Sequence, residues 1–180
     1  EASSGSRHAD NAAPALMGGF TLIRSYEPMD VIRLTPPKDL GIVACLPEFA
    51  VPTREARKKV PKTVPMHDVT HQVGHASALV AGMAIGDLDL IGRSINDIIV
   101  EPARAPLVPF LKEAEKAALD AGAIASFLGG SGPCIAAFFD KGRADGLKIA
   151  KAVQAFYEGH GVECFCWNTT WGAGCEKVGP

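Results

Sequence analysis

Three features are missing from the sequence, and each absence excludes a class of protein. No apolar run approaches the roughly 18 residues that a membrane span requires. Lys and Arg number 18 against 20 Asp and Glu, and no basic tract is present, so the charge pattern of a nucleic-acid-binding protein is missing. No signal-like segment opens the chain. We therefore expect a protein that contacts neither a membrane nor nucleic acid.

A complete set of metal ligands is missing, because the cysteine spacing does not supply one. The sequence has five cysteines, of which Cys164 and Cys166 form a close pair. No second pair and no nearby histidine cluster completes a four-ligand site. We expect reduced, buried thiols in a cytoplasmic protein, and no metal site formed within this chain.

The chain begins at Glu1, without a methionine. Residues 1–14 are small and polar, and they are expected to form a loop that leads into a short turn. This opening indicates a piece cut from a longer polypeptide.

The apolar residues that are present account for 47% of the chain, enough for one good core. Alternating or continuous apolar runs predict strands at 20–24, 30–34 and 41–46. Pro36 and Pro37 follow the second of these runs and mark an expected domain boundary.

Apolar residues at helical spacing predict a series of helices after the third strand. Thr53 is expected to be the N-cap of a short basic helix. The remaining predicted elements are helices over 66–84, 87–95, 106–121 and 143–157, two strands around the glycine-rich segment 129–133, and strands at 162–167 and 173–178. From residue 39 onward this order indicates an α+β fold, an open sheet with helices on one face related to the ferredoxin-like sandwich.

Four polar clusters stand out from this scaffold. They are Arg7-His8-Ala9-Asp10-Asn11, Thr53-Arg54-Glu55-Ala56-Arg57, Asn96-Asp97 with Glu101-Pro102-Ala103-Arg104, and Gly129-Gly130-Ser131-Gly132-Pro133. Each cluster has an alternative without function: a loop that hydrogen-bonds itself, solvated arginines, or a tight turn. Together they favour a site for a small amino or hydroxy acid that reacts at an oxygen. Two arginines suit a carboxylate or phosphate, and glycine N–H groups let an anion approach the backbone.

Four segments carry a resemblance to a known family. They are "HADNAAPALMGGFTLIRSYEP", "VPTREARKKVPKTVPMHDV", "SINDIIVEPARAPLVP" and "FLGGSGPCIAAF". The last is similar to the third motif of the GHMP small-molecule kinases, and the HADN and EPAR segments resemble the homoserine kinases within that family. The resemblance extends over essentially all of the chain. It implies transfer of the ATP γ-phosphate to the hydroxyl of L-homoserine, with Mg²⁺, in threonine biosynthesis.

The resemblance also implies a role for each polar cluster. By position, His8, Asp10 and Asn11 belong to the amino-acid site, and Thr53 lies close to the transferring group. Asn11 is implied to be catalytic, because a neutral amide suits the orientation of a hydroxyl nucleophile.

Arg57 and Arg104 are implied to hold the substrate carboxylate or to stabilise charge near the phosphates, with Arg104 catalytic. The glycine-rich loop is implied to line the site beneath substrate and nucleotide, with Gly130 in contact with the substrate. Its other members are Gly129, Ser131 and Gly132.

The sequence departs from the family pattern in one large respect. The family's phosphate loop, a Gly-Leu-Gly-Ser-Ser type segment that opens a helix, is absent from these 180 residues. Residues 1–38 are therefore expected to be the incomplete end of the GHMP N-terminal domain, and residues 39–180 the GHMP C-terminal domain. Glu1 is the neighbour of the position at which the family carries a metal ligand, and no role is assigned to it.

The expected partners follow from the missing half. The chain is expected to act on ATP and L-homoserine only when the N-terminal half is supplied, in the same or a separate chain, and a homodimer is what the family suggests. Two alternatives stay open. One is another GHMP kinase with a different small substrate, and the other is a non-catalytic ligand-binding or dimerisation module.

Overall fold

The computed structural model of the chain describes residues 8–176. Its strands are β1 (Phe20–Tyr26), β2 (Met29–Leu34), β3 (Leu40–Pro47), β4 (Ala125–Leu128), β5 (Ile135–Asp140) and β6 (Cys164–Thr169). Its helices are α1 (Ala12–Met17), α2 (Thr53–Lys59), α3 (Met66–Ile85), α4 (Leu88–Ser94), α5 (Val100–Arg104), α6 (Leu111–Asp120) and α7 (Gly146–Gly159). A single 3₁₀ turn, Ala105–Leu107, joins α5 to the segment before α6.

Four strands form an antiparallel sheet in the order β4-β5-β3-β6. The chain runs from β3 through helices to the β4–β5 pair, then through α7 to β6. This connection order and strand order are those of the ferredoxin-like plan, so the predicted fold class is confirmed.

Helices cover both faces of this sheet, and the expectation that they pack on one face is wrong. On one face α6 and α7 bury alternate residues of β3 and β5, among them Val43, Cys45 and Phe139. On the other face α3 and α4 contribute Met83 and Ile91 to a smaller core. The reason is the composition of the central strands, because both sets of alternating side chains are apolar and each set needs cover.

The strands β1 and β2 form a separate two-stranded sheet beside α1. The expected loop up to residue 14 is partly a helix, since α1 starts at Ala12 and its Pro14 sits in the first turn, where proline is tolerated.

The end of the described chain packs against α1. The N–H of Cys175 donates to the Leu16 carbonyl, and the N–H of Gly19 donates to the Gly172 carbonyl. The predicted strand over 173–178 is wrong for residues 173–176, which bond to α1 rather than to a sheet; residues 177 and 178 lie outside the described residues. The contact is so close that a Cβ on Gly18 would lie 2.3 Å from the Ala173 backbone.

Two helix boundaries differ from prediction because of proline. Pro52, not Thr53, occupies the N-cap of α2, so Thr53 is the first helical residue. The predicted continuous helix over 106–121 is broken, because Pro109 disfavours helical geometry at Val108. Phe110 then adopts a left-handed conformation with φ of 60° before α6 begins. Within residues 8–176, no helix has the length and apolar character needed to cross a bilayer.

Candidate functional site

A cavity of about 460 Å³ opens between α3, α5 and the neighbouring strands β4 and β5. Its wall includes Phe20, Leu79 and Phe138 as apolar residues, and Arg104 and Gly130 from the predicted site. The cavity therefore combines apolar walls with a few polar groups, which is the usual make-up of a small-ligand site.

Arg104 ends α5 and lies half-buried between the cavity and the glycine loop. Its Nη1 donates a hydrogen bond of 2.8 Å to the Gly130 carbonyl. Its Nε is buried and has no acceptor among the described residues. One side of the guanidinium is thus anchored, and an N–H remains for a ligand with a carboxylate or phosphate.

The glycine loop joins β4 to β5 and is held by its own backbone. The Gly129 N–H donates to the Cys134 carbonyl at 2.7 Å, and the Gly132 N–H donates to the Gly129 carbonyl at 3.1 Å. Gly130 has φ of +63°, and a Cβ at that position would meet nothing within 4 Å. The N–H groups of Gly130 and Ser131 find no acceptor in the part of the chain that the structure describes, which leaves them open to an anion.

Helix α2 brings one more predicted residue, Thr53, to this loop. The hydroxyl of Thr53 lies 3.4 Å from the hydroxyl of Ser131, across 78 positions of sequence. Arg57 is exposed on the same helix, one turn further along and on the same side as Thr53. Thr53, Arg104 and the glycine loop therefore form one group.

His8, Asp10 and Asn11 form a second group beside the β1–β2 sheet. The ring of His8 hydrogen-bonds the Asp10 carboxylate, and this bond lowers the pKa of Asp10 below its ordinary value. The N–H of Ala9 donates to the Tyr26 hydroxyl at 3.4 Å, while Asn11 occupies the N-cap of α1 without a side-chain bond. Within residues 8–176 no hydrogen bond joins this group to Arg104 or to the glycine loop. Glu1 and Arg7 lie outside the described residues.

Asp97, which belongs to one of the four polar clusters, has a structural role. Its carboxylate accepts the N–H groups of residues 99–101 at 2.8 to 3.0 Å. It also accepts a bond of 3.1 Å from the amide of Gln72 on α3. These bonds fix the start of α5, and an aspartate before a short helical turn is a recognisable capping pattern.

Two charged residues in the cavity wall, Lys112 and Glu115, were missed from the sequence. Lys112 pairs with the carboxylates of both Glu101 and Glu115. Glu115 is only 6% exposed, and one of its oxygens has no partner among the described residues. Burial, with the charge of Glu101, outweighs the attraction of Lys112 and raises the pKa of Glu115 to about 7.

This pKa predicts that stability depends on pH. The folded state binds the Glu115 proton more tightly than the unfolded state, so the stabilisation is complete below about pH 4.5 and is lost as pH rises through about 7. We expect Glu115→Gln to raise the free energy of unfolding at pH 8 by about 1–3 kcal/mol and to flatten this decline. Urea unfolding from pH 4 to 8 measures both. Glu113→Gln on the exposed side of α6 is the control, and equal pH profiles for the two variants would contradict the assignment.

Comparison with known proteins starts from the family model. Residues 76–159 match the model described as GHMP kinases C terminal. A curated homoserine kinase of Chlorobaculum tepidum is 45% identical over 153 residues, covering 85% of this chain and 47% of that protein. That of Thermococcus kodakarensis is 44% identical, covering 97% of this chain and 58% of that protein. The chain belongs to the GHMP kinase family.

Solved structures agree with this GHMP assignment. The crystal structure of a homoserine kinase from Cytophaga hutchinsonii is 40% identical, with a TM-score of 0.87 over 93% of this chain and 53% of that one. A phosphomevalonate kinase of Streptococcus pneumoniae, 13% identical with a TM-score of 0.56, shares the fold. The chain spans about half the length of the curated relatives it matches. The predicted resemblance of this chain to the C-terminal half of a GHMP kinase is confirmed.

Magnesium is the metal that the GHMP resemblance implies. Within residues 8–176, no group of three or more His, Cys, Asp or Glu side chains lies together as a metal site. No described residue is assigned to magnesium, and the roles below are those of the side chains and backbone alone.

None of the five cysteines, all of them among the described residues, lines the cavity. All five are free thiols without a disulfide bond. Cys175 is exposed, so the expectation of buried thiols is wrong at that position. Burial raises the pKa of Cys134, and the hydrogen bond between Cys164 and Cys166, together with burial, raises the pKa of Cys164. A raised pKa keeps these thiols protonated and unreactive.

Proposed function

We propose that this chain is the C-terminal half of a homoserine kinase, which transfers the γ-phosphate of ATP to the hydroxyl of L-homoserine. The observation that carries the proposal is the identity of 44% with a curated homoserine kinase over 97% of the chain. Kinases of other small molecules share the fold at 13–15% identity, which supports a common architecture and no particular substrate.

The group around Arg104 is suited to an anionic substrate. Arg104 keeps a buried N–H without a partner in the described chain, and the loop presents the open N–H groups of Gly130 and Ser131. In the proposed function, Arg104 and Arg57 hold the carboxylate of homoserine or stabilise charge on the phosphates. Phosphoryl transfer requires mainly positioning and charge stabilisation, and the two arginines with the loop N–H groups can supply both.

The group around Asn11 offers the substrate an imidazole, a carboxylate and a neutral amide. In the proposed function, His8 and Asp10 bind the amino-acid part of the substrate and Asn11 orients its hydroxyl, while Thr53 lies near the transferring phosphoryl group. The hydrogen bond between His8 and Asp10 supports a fixed arrangement of these two side chains.

The domain division proposed here is residues 1–38 for the end of the N-terminal domain and residues 39–180 for the C-terminal domain. The separate β1–β2 sheet supports it, since β2 ends at Leu34 and β3 begins the larger sheet at Leu40. Tyr26 and Met29, which are paired across the β1–β2 sheet, are 45% and 55% exposed. They form an apolar surface of the kind that a further half of the domain would cover.

The substrate is tested in a completed enzyme, in which this chain follows the N-terminal half of the Thermococcus kodakarensis homoserine kinase. We expect ADP release with Mg-ATP and L-homoserine at least about tenfold faster than with L-threonine or mevalonate. The intact relative, assayed in parallel, is the control. A preference for mevalonate would indicate another GHMP kinase, and a folded but inactive protein would indicate a non-catalytic module.

A further inference from the structure

Helix α5 is joined to the glycine loop by two side chains, one of which has no role in the proposed reaction. Glu101 accepts the N–H of Leu128 at 2.8 Å, and Arg104 donates to the Gly130 carbonyl at 2.8 Å. Glu101 and Arg104 are three positions apart and so lie on one side of the helix. Leu128 and Gly130 flank the entry to the loop. The two bonds together fix the helix against the loop at both ends of this short contact.

Within the described residues, the sheet provides no backbone acceptor for the Leu128 N–H. Strand β4 is the outermost strand in the order β4-β5-β3-β6, so one edge has no neighbouring strand. Leu128 is 9% exposed and the Glu101 side chain 12%, so water has little access to this bond. An ionised carboxylate is the stronger kind of acceptor for such an N–H.

Glu101 is itself held in place from two directions. Its other carboxylate oxygen pairs with Lys112 of α6, which also bonds Glu115 at 2.9 Å. Its backbone N–H donates to the Asp97 carboxylate at 3.0 Å. Both oxygens are therefore engaged within the protein, which leaves Glu101 suited to hold other groups rather than to bind substrate.

We propose that Glu101 is a positioning residue that fixes Arg104 and the glycine loop relative to each other through its hydrogen bond to the Leu128 N–H. The inference rests on the proposed function, because it assigns Glu101 to the reaction that Arg104 serves.

Three variants separate positioning from a general effect on stability. Glu101→Ala removes the acceptor, whereas Glu101→Gln keeps an oxygen that can accept the Leu128 N–H but loses the charge. Glu101→Asp keeps the charge but is one methylene shorter, and it replaces the alanine variant if that protein does not fold. Glu113→Ala, an exposed glutamate on α6, is the control.

In the completed enzyme, we expect Glu101→Ala to lower kcat/KM for homoserine by about 10- to 100-fold, because small misplacements of binding groups have effects of that size. The loss should lie chiefly in KM for homoserine, with KM for ATP little changed. Glu101→Gln should retain kcat/KM within about fivefold of the parent, and Glu113→Ala should match it. Equal losses in the alanine and glutamine variants would overturn the proposal.

Hydrogen exchange on the 180-residue chain tests the same contact without any catalysis. We expect the Leu128 amide to exchange at least about tenfold faster in Glu101→Ala or Glu101→Asp, and at the parent rate in Glu101→Gln. Parent-like exchange in the alanine and aspartate variants would overturn the inference. If exchange changes as expected while the completed parent enzyme is inactive with homoserine, the contact stands and the proposed function fails.

Discussion

Replacing Arg104 with leucine should reduce kcat/KM of the completed enzyme for homoserine at least about 100-fold. The guanidinium is anchored to the Gly130 carbonyl by one nitrogen, and its buried Nε has no acceptor among the described residues. Leucine keeps much of the apolar stem but removes every donor, so a carboxylate or phosphate loses its bidentate partner. Steady-state ADP release at varied homoserine measures the effect.

Arg93→Leu is the matched control for this loss. Arg93 is an exposed arginine on α4 and does not line the cavity. The same chemical change there should leave kcat/KM within about twofold of the parent. An Arg104→Leu variant that is folded and within threefold of the parent would remove Arg104 from the site.

Replacing Gly130 with valine should abolish most homoserine-dependent activity, by about 100-fold or more, while helix content is retained. The position has φ of +63°, where a β-branched residue is strained by about 1–2 kcal/mol. Space for the new side chain exists, since a Cβ there meets nothing within 4 Å. The valine therefore projects into the open side of the loop, where the proposed substrate approaches. Circular dichroism and ADP release measure the two quantities.

Gly161→Val separates strain from obstruction. Gly161 has φ of +75°, and its Cβ position is equally open, but it lies after α7 and outside the cavity wall. The two variants should lose similar unfolding free energy, and only Gly130→Val should lose activity. If both variants lose activity to the same degree, or if Gly130→Val simply unfolds, the loop is a tight turn without a binding role.

Much of the fold was predictable because its elements carry strong local patterns. The continuous apolar run 41–46 became β3, Leu40–Pro47, and the helical spacing over 66–84 became α3, Met66–Ile85. The interruptions were harder to predict, because they depend on competition between helix formation and proline. Pro109 ended one helical pattern, while Pro14 was accommodated in the first turn of another.

The candidate site was predictable where residue type alone suggests chemistry, as for Arg104 and the glycine loop. The sequence could not show that Glu101 contacts Leu128, because the two are 27 positions apart and meet only when α5 packs beside the edge of β4. Nor could it show the pairing of Lys112 with Glu101, since the two residues lie on different helices and are not at the i,i+3 or i,i+4 spacing of neighbours on one helix.

The most direct test of the central claim is product formation from two separate halves. The 180-residue chain is mixed with a separately expressed N-terminal half of the Thermococcus kodakarensis enzyme, Mg-ATP and L-homoserine, and O-phospho-L-homoserine is followed by phosphorus NMR. The account predicts that product forms with both halves and homoserine, and with neither half alone. It is contradicted if the halves co-elute as a folded complex and form no product while the intact relative does.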